Sequence, residues 1–533
     1  MSFLSLTLLK AKQFRNSRLF KIYVMFSVIS VVNFDNRKGH MNIILAGCNL
    51  DYGTISAFTD KKDDKDRLTP ETIAAAYARI SRDPRPVQEL RSLAAGEVEK
   101  ARQSNRNIVF EMGHSSIAEH AVFNIDFLGV SRLLVEEIER SRLASYTEKS
   151  QRYVTLTDDY VIPEEVREAG IEAVFSDTIG AQNRFYHKLY DRLRAHVFAK
   201  HREMAQEEKN RLLLEGWAKE DARYVISLAT ETQLGMTINA RSAELMIRRL
   251  ASSPLAEARE CSRRLYEITG TLTPSLVRYI EPTDFDRLTK RELRETAVRL
   301  AKEGKGKVRP CAEDEAVVLV YATPEADDRI AALLLHSSSY LSLGECLGLV
   351  AGMSFPEKEA VVKTALRHMR PYDAVLREFE AVDLHFELTV SASCFAQLKR
   401  HRMATLTCQD YNPGLGVTVP PAVCEAGLEK DFREIIALTE ESYDRIKKVR
   451  PEAAAYVLTN AHRRRVFLKL NARELYHVAR LRGDRYAQWD IRCTATRMTE
   501  LGKEVMPLTL ILAAGKDSFP ECFGRLFGTA CAG

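Results

Sequence analysis

The ten cysteines of this 533-residue chain form no CxxC pair and follow no regular spacing. That excludes a disulfide framework or cysteine-based zinc site and fits reduced thiols in a cytosolic protein. Long apolar runs are missing as well. Leu19 to Phe34 is interrupted by Lys21 and too short to cross a bilayer comfortably. With Lys10, Lys12, Arg15 and Arg18 ahead of it, the run copies a signal peptide without a convincing cleavage site. We read residues 1–40 as an extension from an upstream start codon, ahead of a first strand at Met41-Asn42-Ile43-Ile44-Leu45-Ala46-Gly47. Strong charge of one sign is also lacking. A net charge of +5 argues against bulk nucleic-acid binding and leaves local basic sites as the informative feature.

What is present is a globular composition, 45% hydrophobic and 28% charged, on a chain long enough for two or more cores. The chain also repeats itself. A shift of 260 residues aligns 120–152 with 380–412 without a gap, with identities at Ala121, Val122, Leu128, Val130, Ser131, Arg140, Arg142, Ala144 and Thr147. A shift of 232 then pairs 220–225 with 452–457, and Asn239-Ala240-Arg241 with Asn471-Ala472-Arg473. The first copy therefore holds 28 extra residues between the blocks, in the charged stretch around Phe185 to Leu214.

Asp286 to Glu303 reads as a charged helix, followed by a flexible linker opening at Gly304-Lys305-Gly306-Lys307. The expected organisation is an extension at 1–40, a first domain at 41–285, a helix and linker at 286–312, and a second domain at 313–533. Alternation marks strands at Val122 to Val130 and Leu384 to Val390. Serine-capped helices follow at Ser131 to Ser141 and Ser391 to His401. A further helix, Asn471 to Arg482, sets Arg473, His477 and Arg480 on one stripe.

Arg400-His401-Arg402, with Thr405 and Thr407 after it, offers clustered donors beside hydroxyls, which suits phosphates. Its altered copy is Arg140-Ser141-Arg142, followed by Ser145, Thr147, Ser150 and Arg152. This pattern resembles the flavin-dependent thymidylate synthases, whose signature is similar to R-H-R, two residues, Ser, one, Asn, two, Ser, one, Arg. Gly113 to His120 is similar to that family's H-x-x-x-x-E-H element. Asn471-Ala472-Arg473, Leu481-Arg482 and Ala487-Gln488-Trp489-Asp490-Ile491 are similar to its N-x-R, L-R and A-Q-W-E-I elements.

The resemblance implies an α/β (α+β) fold of two tandem domains, each a sheet flanked by helices. It implies an enzyme that binds FAD and makes dTMP from dUMP, with methylenetetrahydrofolate and NADPH as co-substrates, at sites built between subunits. FAD would be held by Arg400, His401, Arg402, Asn471, Arg473 and His477. The dUMP ligands would be Gln397, Arg400, Glu148, Ser150, Arg152, Arg223 and Arg482, with Arg482 acting on the pyrimidine.

Carried over residue by residue, the losses divide between the copies. The first has Glu137 for the family's Gln, Ser141 for its His and Leu250 for the L-R arginine. The second has Asp410 and Asn412 for Ser and Arg, Ala455 for another arginine, and Glu380 opposite His120. This complementarity implies a composite site, in which Ser150, Arg152 and Arg223 face Gln397, Arg400 and Arg482. It further implies a homodimer of two-domain chains, with no metal, nucleic acid or membrane as partner. One alternative is a degenerate, non-catalytic homologue that binds flavin or nucleotide. Another is a nucleic-acid binder using Arg463-Arg464-Arg465, against which the modest charge and the lack of interleaved aromatics speak. Cys408, beside the motif, reads as a small buried thiol rather than a nucleophile.

Overall fold

The structure, a computed structural model, describes residues 41–51, 69–303 and 316–528. The expected extension at 1–40 and the linker from Gly304 lie outside the described residues. In chain order the elements used below are β1 (Asn42–Cys48), α1 (Glu71–Arg79), β2 (Val122–Ser131), α2 (Arg132–Ile138), β3 (Ala144–Glu148), α3 (Glu172–Lys200), α4 (Glu208–Ala222), β4 (Glu231–Asn239), α5 (Ala240–Ala251), α6 (Ala256–Leu272) and α7 (Asp284–Lys302). The pattern then recurs as β5 (Val317–Ala322), α8 (Ala326–Ser337), β6 (Asp383–Ser391), α9 (Ala392–Leu398), β7 (Thr405–Cys408), α10 (Glu429–Val449), β8 (Arg463–Asn471), α11 (Ala472–Arg482) and α12 (Trp489–Val505).

The result is a mixed α/β protein with two antiparallel four-stranded sheets, ordered β1-β2-β4-β3 and β5-β6-β8-β7. Each central strand alternates as a half-buried strand must: Phe123, Ile125 and Phe127 point into one core, and Leu384, Phe386 and Leu388 into the other. Each of these strands ends at a serine whose hydroxyl caps the next helix. Ser131 accepts from the Leu134 N–H and Ser391 from the Cys394 N–H, both at 3.0 Å. Both helices stop earlier than expected, at Ile138 and Leu398. Arg140 to Arg142 and Arg400 to Arg402 therefore lie in the turns that lead to β3 and β7.

The copies differ by a β-bulge. Between Phe127 and Val130 the β2–β4 register slips, and Gly129 takes the left-handed conformation that glycine tolerates, with φ of 66°. The 260-residue correspondence therefore holds after the bulge and becomes 261 before it. The Ala240 N–H bonds the Ala121 carbonyl, as the Ala472 N–H bonds that of Val382.

The chain packs as two compact units. Among the described residues the first contains 41–51, 69–150, 156–172 and 229–301, and the second contains 151–155, 173–228, 302–303 and 316–528. The second unit thus combines the second copy's sheet with the long insertion of the first copy. There α3 lies on α10, with Thr178 Oγ1 donating to Ser442 Oγ at 2.7 Å and Gln182 Nε2 to Thr439 Oγ1 at 2.8 Å. Backbone bonds continue the seam, Leu228 N–H to the Leu458 carbonyl and Asn460 N–H to that of Ile226. Among the described residues no helix is long and apolar enough to cross a membrane.

Candidate functional site

In the second unit His401 is buried in the turn after α9 and joins two arginine-bearing regions. Its Nε2 accepts from Arg482 Nε at 3.1 Å, and its Nδ1 faces Glu474 Oε1 at 3.2 Å. A guanidinium N–H can only donate, so the imidazole carries its proton on Nδ1 and donates it to Glu474. Arg482 also donates through Nη2 to the Gln397 carbonyl at 3.3 Å. Burial lowers the Arg482 pKa, and the nearby charges of Arg152 and Arg400 lower it further.

Arg152 comes from the first copy's 151–155 segment and is held by Glu220 of α4, with a long contact to the Tyr486 carbonyl at 3.5 Å. Arg223 is buried in the turn after α4, and its carbonyl accepts from Asn460 Nδ2 at 3.0 Å. The same turn carries Tyr224, stacked on Trp489, whose indole N–H donates to Asp221 at 2.7 Å. Burial pushes the Asp221 carboxyl up to about 7. The structure therefore brings Arg152, Arg223, Gln397, Arg400, His401 and Arg482 into one compact unit. Glu148 and Ser150 belong to the first unit, where Glu148 lies 3.6 Å from the buried Arg132.

On the other side of His401 is a cavity of about 260 Å³, lined by Asn471, Arg473, His477 and Arg480 and by the apolar Met403 and Phe519. Arg473 donates to the Val375 carbonyl and to Glu380, at 2.9 and 2.7 Å. Burial lowers the His477 pKa, with His401, Arg480 and Arg482 adding to the effect. Donors and apolar side chains in the lining fit one end of a flavin nucleotide, while Asp373, Glu380 and Glu474 in the same lining oppose a phosphate there, and a volume below the usual ligand range of about 300–1,000 Å³ does not enclose a whole dinucleotide. Of the residues expected to hold FAD, Arg400, His401 and Arg402 are not part of this lining, and Arg402 is exposed in its turn.

Several expectations need correction. Because the bulge moves the register, Glu380 corresponds to Glu119 rather than His120, and the contacts agree: Glu119 holds Arg241 at 2.5 Å as Glu380 holds Arg473. The first copy is not without an arginine beside the Leu250 position, because the residue before Leu250 reaches the equivalents of the groups that Arg482 does. The helices α5 and α11 start 232 residues apart, which keeps Leu250 in register with Arg482; the residue added before α12 follows Arg482 and does not move that register. Arg249 makes the equivalent contacts, to the Glu137 carbonyl at 2.6 Å and to Ser141 Oγ at 3.5 Å, while Leu250 is core. The adjacent Arg248-Arg249 pair was the available signal. Cys408 is exposed rather than buried, because it ends the edge strand β7. Arg464 is no open basic patch; it lies between the Phe395 and Tyr411 rings and donates to the Gln409 carbonyl. Glu474, Gln488 and Tyr224 were missed as supporting residues because their roles depend on contacts distant in sequence.

A profile of the thymidylate synthase complementing protein family matches residues 65–275 and 318–508. A flavin-dependent thymidylate synthase of Clostridium tetani is 31% identical over 216 residues, 38% of this chain and 82% of its own. A UPF0159 protein of Chlamydia muridarum is 24% identical over 433 residues, covering 77% of this chain and 79% of its own. A solved UMP/dUMP methylase from Streptomyces cacaoi, bound with 5-Br dUMP, overlaps 38% of this chain and 95% of that chain at 17% identity, with a TM-score of 0.30. With two matches that together span most of its length, the chain belongs to the thymidylate synthase complementing protein family and carries that family's domain twice.

Proposed function

We propose that this chain is a flavin-dependent thymidylate synthase, methylating dUMP to dTMP with methylenetetrahydrofolate and NADPH as co-substrates. Membership of the family supports this, as does the name of the Clostridium tetani relative. The observation that carries it is the meeting, in one compact unit, of first-copy Arg152 and Arg223 with second-copy Gln397, Arg400 and Arg482.

In this reading Arg152 and Arg223 take the phosphate through charge-assisted bonds, each contributing about 1.5–3 kcal/mol when shielded from water. Phosphate competes with Glu220 for Arg152. Arg482 is held in advance by His401 and by the Gln397 carbonyl, so it meets charge developing on a pyrimidine carbonyl with little reorganisation. Asn471, Arg473 and His477 would hold FAD, with Arg400, His401 and Arg402 in the turn beside them; reduced flavin supplies the hydride. Two such chains assemble the family's four-domain body with closed symmetry.

The test is incubation of the purified protein with dUMP, methylenetetrahydrofolate, NADPH and FAD. The expected result is bound flavin and dTMP, with Arg482→Ala losing turnover while retaining flavin. Absence of both flavin and dTMP overturns the proposal. Flavin without dTMP favours the non-catalytic homologue.

A further inference from the structure

Gln397 belongs to a buried chain of hydrogen bonds whose direction is set by groups that can bond in only one way. Gln488 caps α12, its Oε1 accepting from the Ile491 backbone N–H at 3.5 Å. A backbone N–H only donates, so this end of the Gln488 amide is the oxygen and the other end is the NH₂ group. That group donates to the Tyr224 hydroxyl at 3.0 Å, and the hydroxyl donates to Asp490 Oδ2 at 2.8 Å. Asp490 also accepts from Ser391 Oγ at 2.6 Å. Burial and the Asp490 carboxylate raise the Tyr224 pKa, so the phenol remains a donor.

The opposite end of the chain is equally constrained. Gln397 Nε2 donates to Gln488 Oε1 at 3.1 Å and to the Ser393 carbonyl at 3.5 Å, and a carbonyl only accepts. Both amides are therefore oriented by chemistry. The Gln397 NH₂ group is committed inward, and its Oε1 makes no hydrogen bond among the described residues. The first copy lacks this device. There Glu257 binds Ser131 through both carboxylate oxygens, at 2.6 and 2.7 Å, and Glu137 stands where Gln397 does.

We propose that Tyr224, Gln488 and Asp490 are positioning residues that make Gln397 an obligate hydrogen-bond acceptor facing the base's ring N3, so that the site selects a base with a ring N–H there, as uracil has, over one with a bare ring nitrogen, as cytosine has. This rests on the proposed nucleotide site. A site built to pair a substrate N–H strongly rejects the analogue that lacks it, because a buried polar group is then left unpaired. Gln397 touches the base, whereas the three positioning residues act only through it.

The experiment is calorimetric titration of the full chain with dUMP and with dCMP. Wild type should prefer dUMP by about 100-fold or more. Gln488→Leu removes the acceptor that orients Gln397 and should reduce this ratio at least about tenfold, whereas Gln488→Glu keeps an acceptor there and should restore it. Tyr224→Phe leaves the helix cap intact and should lower the ratio in the same direction by a smaller factor. It serves if Gln488→Leu fails to fold. An unchanged ratio in a folded Gln488→Leu or Tyr224→Phe protein overturns the inference, as does a wild type that binds both nucleotides equally. A wild type that binds neither overturns the nucleotide site itself.

Discussion

Arg249 in the first copy and Arg482 in the second reach the same backbone carbonyl, that of Glu137 or of Gln397, yet their surroundings differ. Arg482 meets a histidine whose proton position is fixed by Glu474, and it shares its unit with Arg152 from elsewhere in the chain. Arg249 meets Ser141, and beside it Glu137 is paired with Arg140. Glu119 and Glu380 repeat the lesson, each holding the arginine at the start of the equivalent helix. Contacts have survived where residue correspondence slipped by one. The copies differ instead in what the chain brings to them.

Substitutions can break this comparison, the largest effect first. Leu250→Arg should not recreate an Arg482. Leu250 is 1% exposed, and an unpaired charge in that core should cost about 3–5 kcal/mol, seen as a lower thermal unfolding temperature. Asp221, whose counterpart in the second copy is Ala453, should make stability depend on pH. Its folded pKa of about 7 lies above the ordinary 3.8, so the folded state retains a proton that the unfolded state loses. That contribution is full below pH 3.8 and declines as pH rises to about 7, by on the order of 3–4 kcal/mol. Asp221→Asn should flatten the slope in denaturant titrations across this range.

Arg223→Ala should weaken dUMP binding about tenfold or more, while Ala455→Arg, at the matching position of the other copy, should change it little. Equal effects in a binding titration would remove the distinction between the copies. Smallest of all, Cys408→Ser should alter stability by less than about 0.5 kcal/mol, since the thiol is exposed at an edge strand.

The sheets, the serine caps at Ser131 and Ser391, and the stripe of Arg473, His477 and Arg480 were legible in the sequence because each depends on local periodicity or on a side chain three residues from its partner. The repeat was legible too, but not its interruptions. A bulge at Gly129 leaves no mark in a gapless comparison, so Glu380 was matched to the wrong neighbour, and contacts made by Arg249 from one residue before the register position of Arg482 are equally hidden. The packing of residues 173–228 into the second unit was also hidden. It depends on buried pairs such as Gln182 with Thr439, 257 residues apart, which no local pattern announces.

In the proposed composite site, one chain completes one nucleotide site from elements of both copies. Calorimetric titration of the purified full-length chain with dUMP measures this directly. One dUMP bound per chain is expected, its affinity weakened about tenfold or more by Arg152→Ala. Two dUMP per chain, or one whose affinity Arg152→Ala leaves unchanged, would rule out the composite site.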